Sequence, residues 1–118
     1  MAKILVVDDA AFMRLRAAKL LVDAGHTVLE AENGRLAVEV YTRERPDAVL
    51  LDITMPEMDG LEALSEIRRF DPSARVAMLT AMGQQSIVMD AIKRGARDFV
   101  VKPFAPDRVL SAVSKLLA

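Results

Sequence analysis

Short apolar runs alternate along the chain with longer segments in which apolar residues recur every three or four positions. The short runs predict five strands, at Lys3–Asp8, Thr27–Ala31, Ala48–Asp52, Arg75–Thr80 and Asp98–Val101. The longer segments predict five amphipathic helices, one after each strand. Gly25 and Gly95 follow two of these helices, where a left-handed cap is expected, and Pro106 suits the first turn of the last helix. Alternating strands and helices predict parallel pairing with right-handed crossovers.

The strands differ in how continuously apolar they are, and this difference predicts their places in the sheet. The first contains ILVV and the third AVLL, which are unbroken apolar runs. Such strands are buried on both faces, as at the centre of a doubly wound sheet. Thr27–Ala31 is more polar and is followed by Glu32, so we expect it at an edge. The pattern therefore predicts an α/β fold with a doubly wound, parallel five-stranded sheet.

Acidic residues follow two of the most apolar strands. Asp8 and Asp9 end the first strand, and Asp52 ends the third. Ligand sites in doubly wound sheets lie beyond the carboxyl ends of the strands. If these strands are neighbours, three carboxylates converge and need a cation to offset their repulsion. The available ligands are oxygen atoms, and they are too few to enclose an ion completely. Such a site suits Mg²⁺, because this ion retains several water ligands.

The fourth and fifth strands end in residues that complement these acids. Thr80 supplies a hydroxyl and Lys102 an ammonium group. A metal, a lysine and a hydroxyl around one carboxylate can hold the oxygens of a transferred phosphoryl group. Asp52, at the centre, would then be the nucleophile that forms an aspartyl-phosphate. Taken singly, each residue has a simpler explanation: Asp9 as a helix cap, Thr80 as a turn residue, Lys102 as a solvated charge. Their joint occurrence at the ends of four strands favours a functional site over these separate explanations.

Composition narrows the function classes. The 118 residues suffice for one domain and one core. Sixteen basic residues against 17 acidic ones leave no broad basic field for nucleic acid or an anionic membrane. The absence of cysteine excludes disulfides, thiolate zinc sites and cysteine nucleophiles, and His26 alone cannot form a histidine metal cluster. No apolar run is as long as a membrane span, so we expect a soluble, cytoplasmic protein.

Four stretches together resemble a known family. The chain contains, in family order and spacing, VVDDAAFMR, LLDITMPEMDG, MLTAMG and GARDFVVKPF. They resemble the receiver domain of two-component response regulators, over the whole of residues 1–118, and within it the single-domain receivers of chemotaxis. The resemblance implies a single (βα)5 flavodoxin-like domain with strand order 2-1-3-4-5.

The resemblance also implies the chemistry of the acids. Asp52 is similar to the residue that accepts a phosphoryl group from a sensor histidine kinase. Asp9, Asp52 and the backbone carbonyl of Thr54 are similar to Mg²⁺ ligands, and Asp8 to the acid that orients a metal-bound water. On this reading the protein is a phosphoacceptor switch that assists its own phosphorylation and dephosphorylation, not an enzyme acting on a separate substrate.

Further positions carry over from the family to the conformational switch. Lys102 and Thr80 would hold phosphoryl oxygens, and the Lys102–Pro103 bond would be cis. Phe99 matches the switch aromatic, which is often tyrosine in relatives, so a hydrogen bond from that hydroxyl is missing here. Phosphorylation would draw the Thr80 hydroxyl toward Asp52, and Phe99 would rotate inward.

Two positions correspond to those that tune phosphoryl lifetime in the family, Thr54 and Met82. Met82 cannot orient a water molecule, whereas the amide or acid often found there can. We therefore hypothesise that self-dephosphorylation is not fast and that a separate phosphatase assists. The alternative is that Met82 only packs on the surface.

The implied partners are a sensor histidine kinase (CheA-like) and the flagellar motor switch, with neither nucleic acid nor membrane. Two alternatives stay open, a phosphorelay intermediate and the receiver of a transcriptional regulator separated from its output domain. A Mg²⁺-dependent phosphatase is disfavoured because Thr54 stands where such enzymes need a second acid. A flavin carrier of the same fold would need a glycine- and hydroxyl-rich phosphate loop in place of DDAAFMR.

Overall fold

The structure is a computed structural model, and it describes residues 2–55, 57–81 and 85–118. Within these ranges five strands and five helices alternate, as predicted. The strands are β1 (Lys3–Val7), β2 (Thr27–Ala31), β3 (Ala48–Asp52), β4 (Val76–Ala81) and β5 (Asp98–Lys102). The helices are α1 (Ala11–Asp23), α2 (Gly34–Glu44), α3 (Gly60–Phe70), α4 (Gln85–Lys93) and α5 (Pro106–Leu117).

All neighbouring strands pair in parallel, and the sheet order is β2-β1-β3-β4-β5. The predicted fold class and strand order are therefore confirmed. Every residue of β3 is buried, and so is all of β1 except Lys3. The more polar β2 lies at one edge of the sheet, as its pattern indicated, and β5 lies at the other.

The core consists of two apolar layers, one on each face of the sheet. Leu5 and Val7 of β1 face a layer that includes α2, α3 and α4. Ile4 and Val6, which alternate with them, face a layer that includes α1 and α5. Burying side chains of this size stabilises the fold by roughly 1.5–3 kcal/mol each. With both faces covered, polar chemistry is confined to the ends of the strands.

Three strands have boundaries that differ from the prediction by one residue. β1 ends at Val7 instead of Asp8, because the chain turns there and Asp8 Oδ1 accepts the Ala10 N–H at 2.9 Å. β4 is displaced by one residue toward the carboxyl end. β5 extends to Lys102 because that residue pairs in register with Ala81. A boundary depends on pairing with another strand, which the local apolar pattern does not encode.

The predicted helix boundary signals are confirmed. Gly25 and Gly95 have φ angles of 95° and 108°, a region that favours glycine. α5 begins at Pro106. In the described ranges, none of the helices is both long and apolar enough to cross a membrane.

Candidate functional site

The carboxylates of Asp8, Asp9 and Asp52 converge at the carboxyl ends of β1 and β3. One oxygen from each lies within 4.8 Å of the others. The sheet register explains this, because Val7 and Leu51 are partners in adjacent parallel strands. The residues that follow them leave the sheet side by side. Strand order and register thus bring together acids that are 43 or more positions apart in sequence.

Two of the three acids are buried, and Lys102 is their cationic partner. Asp8 is 1% exposed and Asp52 7%, whereas Asp9 is exposed. Lys102 Nζ lies 2.8 Å from Asp8 Oδ2 and 3.2 Å from Asp52 Oδ2. Buried charges need such partners because removing them from water is costly. A single ammonium group offsets only part of the charge of three carboxylates.

This environment shifts the ionisation of both the central acid and the lysine. Burial raises the pKa of Asp52 to about 6, with Lys102 opposing the rise and the charge of Asp8 adding to it. Burial by itself lowers the pKa of Lys102, but its close contact with Asp8 and the charge of Asp52 outweigh burial and raise it. The negative charge on Asp52 is therefore incompletely stabilised, and a further cation nearby would stabilise it.

The donor set of the cluster fits a divalent metal ion. Asp8 Oδ2 is fully buried and, among the described residues, accepts no well-directed hydrogen bond, its close contact being the ion pair with Lys102. Carboxylate oxygens are the ligands preferred by Mg²⁺ and Ca²⁺. The acidic cluster can therefore hold a metal ion. Because Asp9 is exposed, water can reach the ion from that side of the cluster.

Asp9 does not cap the first helix, so that alternative is wrong. The N-cap of α1 is Ala10, and no side-chain hydrogen bond caps this helix end. The neighbouring acid acts locally instead, since Asp8 Oδ1 accepts the Ala10 N–H. The Asp9 carboxylate points to the cluster, where it can bind a ligand.

The structure also locates three other sequence-predicted residues. Thr80 is buried near the end of β4, and its Oγ1 donates to the Ala81 carbonyl at 3.1 Å. Phe99 lies on β5 and is 37% exposed. Thr54 is exposed, two residues beyond Asp52 in the β3–α3 loop.

Two further predictions from the sequence concern residues at the ends of β4 and β5. The Lys102–Pro103 peptide bond is cis in the structure. Met82, assigned to phosphoryl lifetime from the family resemblance, lies outside the described residues.

Sequence reasoning missed two residues that support the acids. Arg14 Nη1 donates to the Asp8 carbonyl at 2.7 Å. Gly60 allows α3 to start against β3, because a Cβ there would lie 2.1 Å from the Asp52 carbonyl oxygen. Both contacts are made to backbone atoms, so no pairing of residue types reveals them. The only signal was that both residues lie in the stretches that carry the family resemblance.

Comparison with known proteins identifies the family. Residues 4–114 match the profile of the response regulator receiver domain. The chain belongs to this family. It is 59% identical over 116 residues to the chemotaxis protein CheY of Bacillus subtilis, covering 98% of this chain and 97% of that protein. It is 52% identical over 115 residues to CheY of Thermotoga maritima, covering 97% and 96%.

Solved structures agree with the receiver assignment. The chemotaxis protein CheY4 of Vibrio cholerae superposes with a TM-score of 0.93 at 32% identity, with 99% of each chain covered. Membership of the receiver family implies two-component phosphoacceptor signalling, with a histidine kinase upstream and an effector downstream. The expected likeness to chemotaxis receivers is confirmed by these relatives.

Proposed function

We propose that this receiver is a single-domain chemotaxis switch, with residues 1–118 as its functional unit. A sensor histidine kinase (CheA-like) phosphorylates Asp52 in a Mg²⁺-dependent reaction, and the phosphorylated form binds the flagellar motor switch. The observation that carries the proposal is the position of Asp52, which is buried, flanked by two acids and 3.2 Å from the Lys102 ammonium. A role between these partners implies a cytoplasmic location, which is part of the proposal.

The reaction is a phosphoryl transfer between two protein side chains. An Asp52 oxygen attacks phosphorus, forming a P–O bond, while the P–N bond to the kinase histidine breaks. The electron pair of that bond stays on the imidazole nitrogen, which then takes up a proton. Asp52 needs its carboxylate form to attack, and with a pKa of about 6 most of it is ionised at neutral pH. The protein thus accepts the group and assists the transfer without turning over a separate substrate.

The surrounding residues supply positioning and charge. Asp8, Asp9, Asp52 and the Thr54 carbonyl would hold Mg²⁺, with Asp8 acting through a bound water. When bound, the ion neutralises charge on the transferring phosphoryl oxygens. Lys102, already within 3.2 Å of Asp52, would bind one of these oxygens.

Thr80 and Phe99 connect the site to the surface. A phosphoryl group on Asp52 adds acceptor oxygens, toward which the Thr80 hydroxyl would turn from its present bond to the Ala81 carbonyl. Phe99, which is part-exposed on β5, would then rotate into the space beside Thr80. Apolar side chains on α4 and β5 are already exposed, namely Met89, Ile92 and Val101. Rotation of Phe99 would change the apolar surface of α4, β5 and α5, and such a surface suits a protein partner.

A dedicated phosphatase is the remaining proposed partner. Thr54 and Met82 offer no amide or acid to orient an attacking water, so spontaneous loss of the phosphoryl group should be slow. A half-life of seconds in isolated protein with no phosphatase present would contradict this part of the proposal.

The test is binding of an N-terminal flagellar-switch peptide, measured by fluorescence anisotropy. The protein is used alone and with Mg²⁺ and beryllofluoride, which mimics the phosphoryl group on an aspartate. Asp52→Asn, matched in size and shape, is the control. Tighter binding only by the activated wild type supports both the Asp52 switch and the chemotaxis output.

The opposite result separates the proposed output from the receiver chemistry. If beryllofluoride is shown to be bound and peptide affinity does not change, the motor switch is not the target. Transfer from phosphorylated Asp52 to a second histidine protein would then favour a phosphorelay intermediate. Binding of the activated protein to a separate DNA-binding output domain would instead favour the receiver of a transcriptional regulator.

A further inference from the structure

We propose that Arg14 is a positioning residue for the acid pair Asp8–Asp9, and that it sets the affinity of the site for its divalent cation. The side chain reaches from the first turn of α1 to the end of β1, where it binds the Asp8 backbone carbonyl. This inference rests on the proposed use of these acids to hold Mg²⁺.

Contacts fix each polar group of Asp8. The backbone N–H donates to Ala31 O of β2 at 3.2 Å, Oδ1 accepts from Ala10 N at 2.9 Å, Oδ2 lies 2.8 Å from Lys102 Nζ, and the carbonyl accepts from Arg14 Nη1 at 2.7 Å. Three of the four partners orient the Asp8 side chain or its own N–H. Among the described residues, Arg14 alone holds the carbonyl, which belongs to the peptide group that leads into Asp9.

The orientation of that peptide group determines where Asp9 lies. Its carbonyl carbon and nitrogen share one plane with the α-carbons of both aspartates. Rotation of the plane therefore moves the Asp9 side chain relative to Asp52. Backbone bonds hold the next residue, since the Ala10 N–H donates to Asp8 Oδ1 and the Ala10 carbonyl accepts from the Arg14 N–H. Asp9 itself is exposed, and its helix end has no side-chain cap. The bond from Arg14 is thus well placed to keep the Asp9 carboxylate in the cluster.

Arg14 is itself held in place. Its Nε donates to Glu30 Oε1 at 3.0 Å, and its side chain is only 17% exposed. Glu30 belongs to β2, where it pairs in register with Val6. The guanidinium therefore connects the sheet edge to the end of β1, using two of its donors in one plane.

A solvent-open cavity beside Arg14 makes its replacement informative. The cavity has a volume of about 220 Å³ and is lined by Arg14, Glu30, Ala31, Glu32 and Leu36. Water can enter the space that a truncated side chain leaves, so the Asp8 carbonyl would not become a buried unsatisfied acceptor. Arg14→Ala should therefore fold and show an altered site.

Positioning and simple charge effects predict opposite results. Removing a positive charge near a cation site strengthens cation binding if electrostatics alone operates. Losing the orientation of Asp9 weakens it. Replacement of residues that orient metal ligands typically lowers metal affinity by 10- to 100-fold. We expect Arg14→Ala to bind Mg²⁺ about 10-fold more weakly than wild type, despite the favourable change in charge.

The experiment is Mg²⁺ titration by isothermal calorimetry, together with amide chemical shifts of residues 8–10 in metal-free protein. Arg14→Gln is a rescue variant, because its amide can donate to a carbonyl without carrying a charge. Arg16→Ala is the matched control, since Arg16 is exposed on the same helix and its loss changes the charge equally. We expect weaker binding and shifted amides in Arg14→Ala, partial recovery in Arg14→Gln, and wild-type affinity or slightly tighter binding in Arg16→Ala.

Each other outcome overturns a specific claim. Mg²⁺ binding by Arg14→Ala that equals or exceeds that of wild type refutes the positioning role. Equal weakening in Arg14→Gln and Arg14→Ala, or in Arg16→Ala, also refutes it. Absence of Mg²⁺ binding by the wild type refutes the proposed function, and with it this inference. If Arg14→Ala fails to fold, Arg14→Gln alone decides. A reduced Mg²⁺ affinity of Arg14→Gln with unchanged amide chemical shifts at residues 8–10 would count against positioning.

Discussion

The centre of the sheet and its β5 edge are built in opposite ways. In β1 and β3 nearly every residue is buried. The register between these two strands fixes the relative positions of the acids at their ends. In β5 buried Val100 alternates with part-exposed Phe99 and Val101. The Phe99 N–H donates to Asp98 Oδ1 at 2.8 Å and its carbonyl accepts from Arg108 Nη2 at 2.5 Å, so side chains satisfy this backbone.

This difference separates two requirements of a switch. Chemistry needs groups held in one geometry, and a central strand provides that through packing on both faces. A signal needs a surface with more than one arrangement, and an edge strand provides that because fewer contacts oppose movement. Lys102 joins the two regions, since it ends the edge strand and contacts the central acids.

The largest effect should follow from removing Lys102. Lys102→Met deprives Asp8 and Asp52 of their cation. On the proposed mechanism it also deprives the phosphoryl oxygens of a donor. The rate of phosphotransfer to Asp52 should fall about 100- to 1,000-fold, as when a preorganised donor is lost. Quench-flow with phosphorylated kinase measures this rate. Lys115→Met, an exposed lysine on α5, should leave it unchanged, and a similar loss in both variants would show a non-specific effect.

Glycine replacements should show how closely the site is packed. A Cβ at Gly60 would lie 2.1 Å from the Asp52 carbonyl oxygen, so Gly60→Ala should cost about 3 kcal/mol in the free energy of unfolding. Gly25 has a φ of 95° but nothing within 4 Å of its Cβ position. Gly25→Ala should cost only about 1 kcal/mol of backbone strain. Urea denaturation checks both, and equal losses would contradict the packing argument.

The charge of Asp52 should oppose folding at neutral pH. Its pKa is raised by burial from 3.8 to about 6, so the folded state binds a proton more readily than the unfolded state between these values. Stability therefore falls as pH rises from about 4 to 6, and the full penalty is present above that range. Asp52→Asn should stabilise metal-free protein by about 2 kcal/mol at pH 7 and by little below pH 4.

Denaturant unfolding of wild type and Asp52→Asn at pH 4 and pH 7 measures this difference. Saturating Mg²⁺ should reduce the advantage of the variant at pH 7, because the ion offsets the charge in the wild type. Destabilisation by Asp52→Asn at pH 7 in metal-free protein would contradict the raised pKa.

The smallest effect on stability is expected at the edge. Phe99→Ala should change the free energy of unfolding by no more than about 1 kcal/mol, because the ring is partly in water. Val100→Ala, at the fully buried neighbour, should cost about 2 kcal/mol. Only Phe99→Ala should alter the affinity of the activated protein for the motor-switch peptide. If Val100→Ala alters that affinity more, Phe99 is not the switch residue.

The same contrast between local and tertiary information explains what the sequence could predict. ILVV and AVLL indicate buried strands by themselves, and acids directly after them indicate a site at the strand ends. The order of the strands came from the family resemblance, since local patterns do not specify neighbours. Arg14 and Gly60 were missed because each acts on a backbone carbonyl brought near by folding. The raised pKa of Asp52 likewise depends on depth of burial, which a strand-end position does not give.

The most direct test of the central claim is to locate the phosphoryl group. Metal-free protein is treated with acetyl phosphate in the presence of Mg²⁺ or of EDTA, and intact mass and peptide mapping follow, with Asp52→Asn in parallel. We predict one phosphoryl group on Asp52 of the wild type with Mg²⁺, and none with EDTA or in the variant. Modification of another residue, or equal modification without Mg²⁺, would contradict the assignment of the acidic cluster as a metal-dependent phosphoacceptor site.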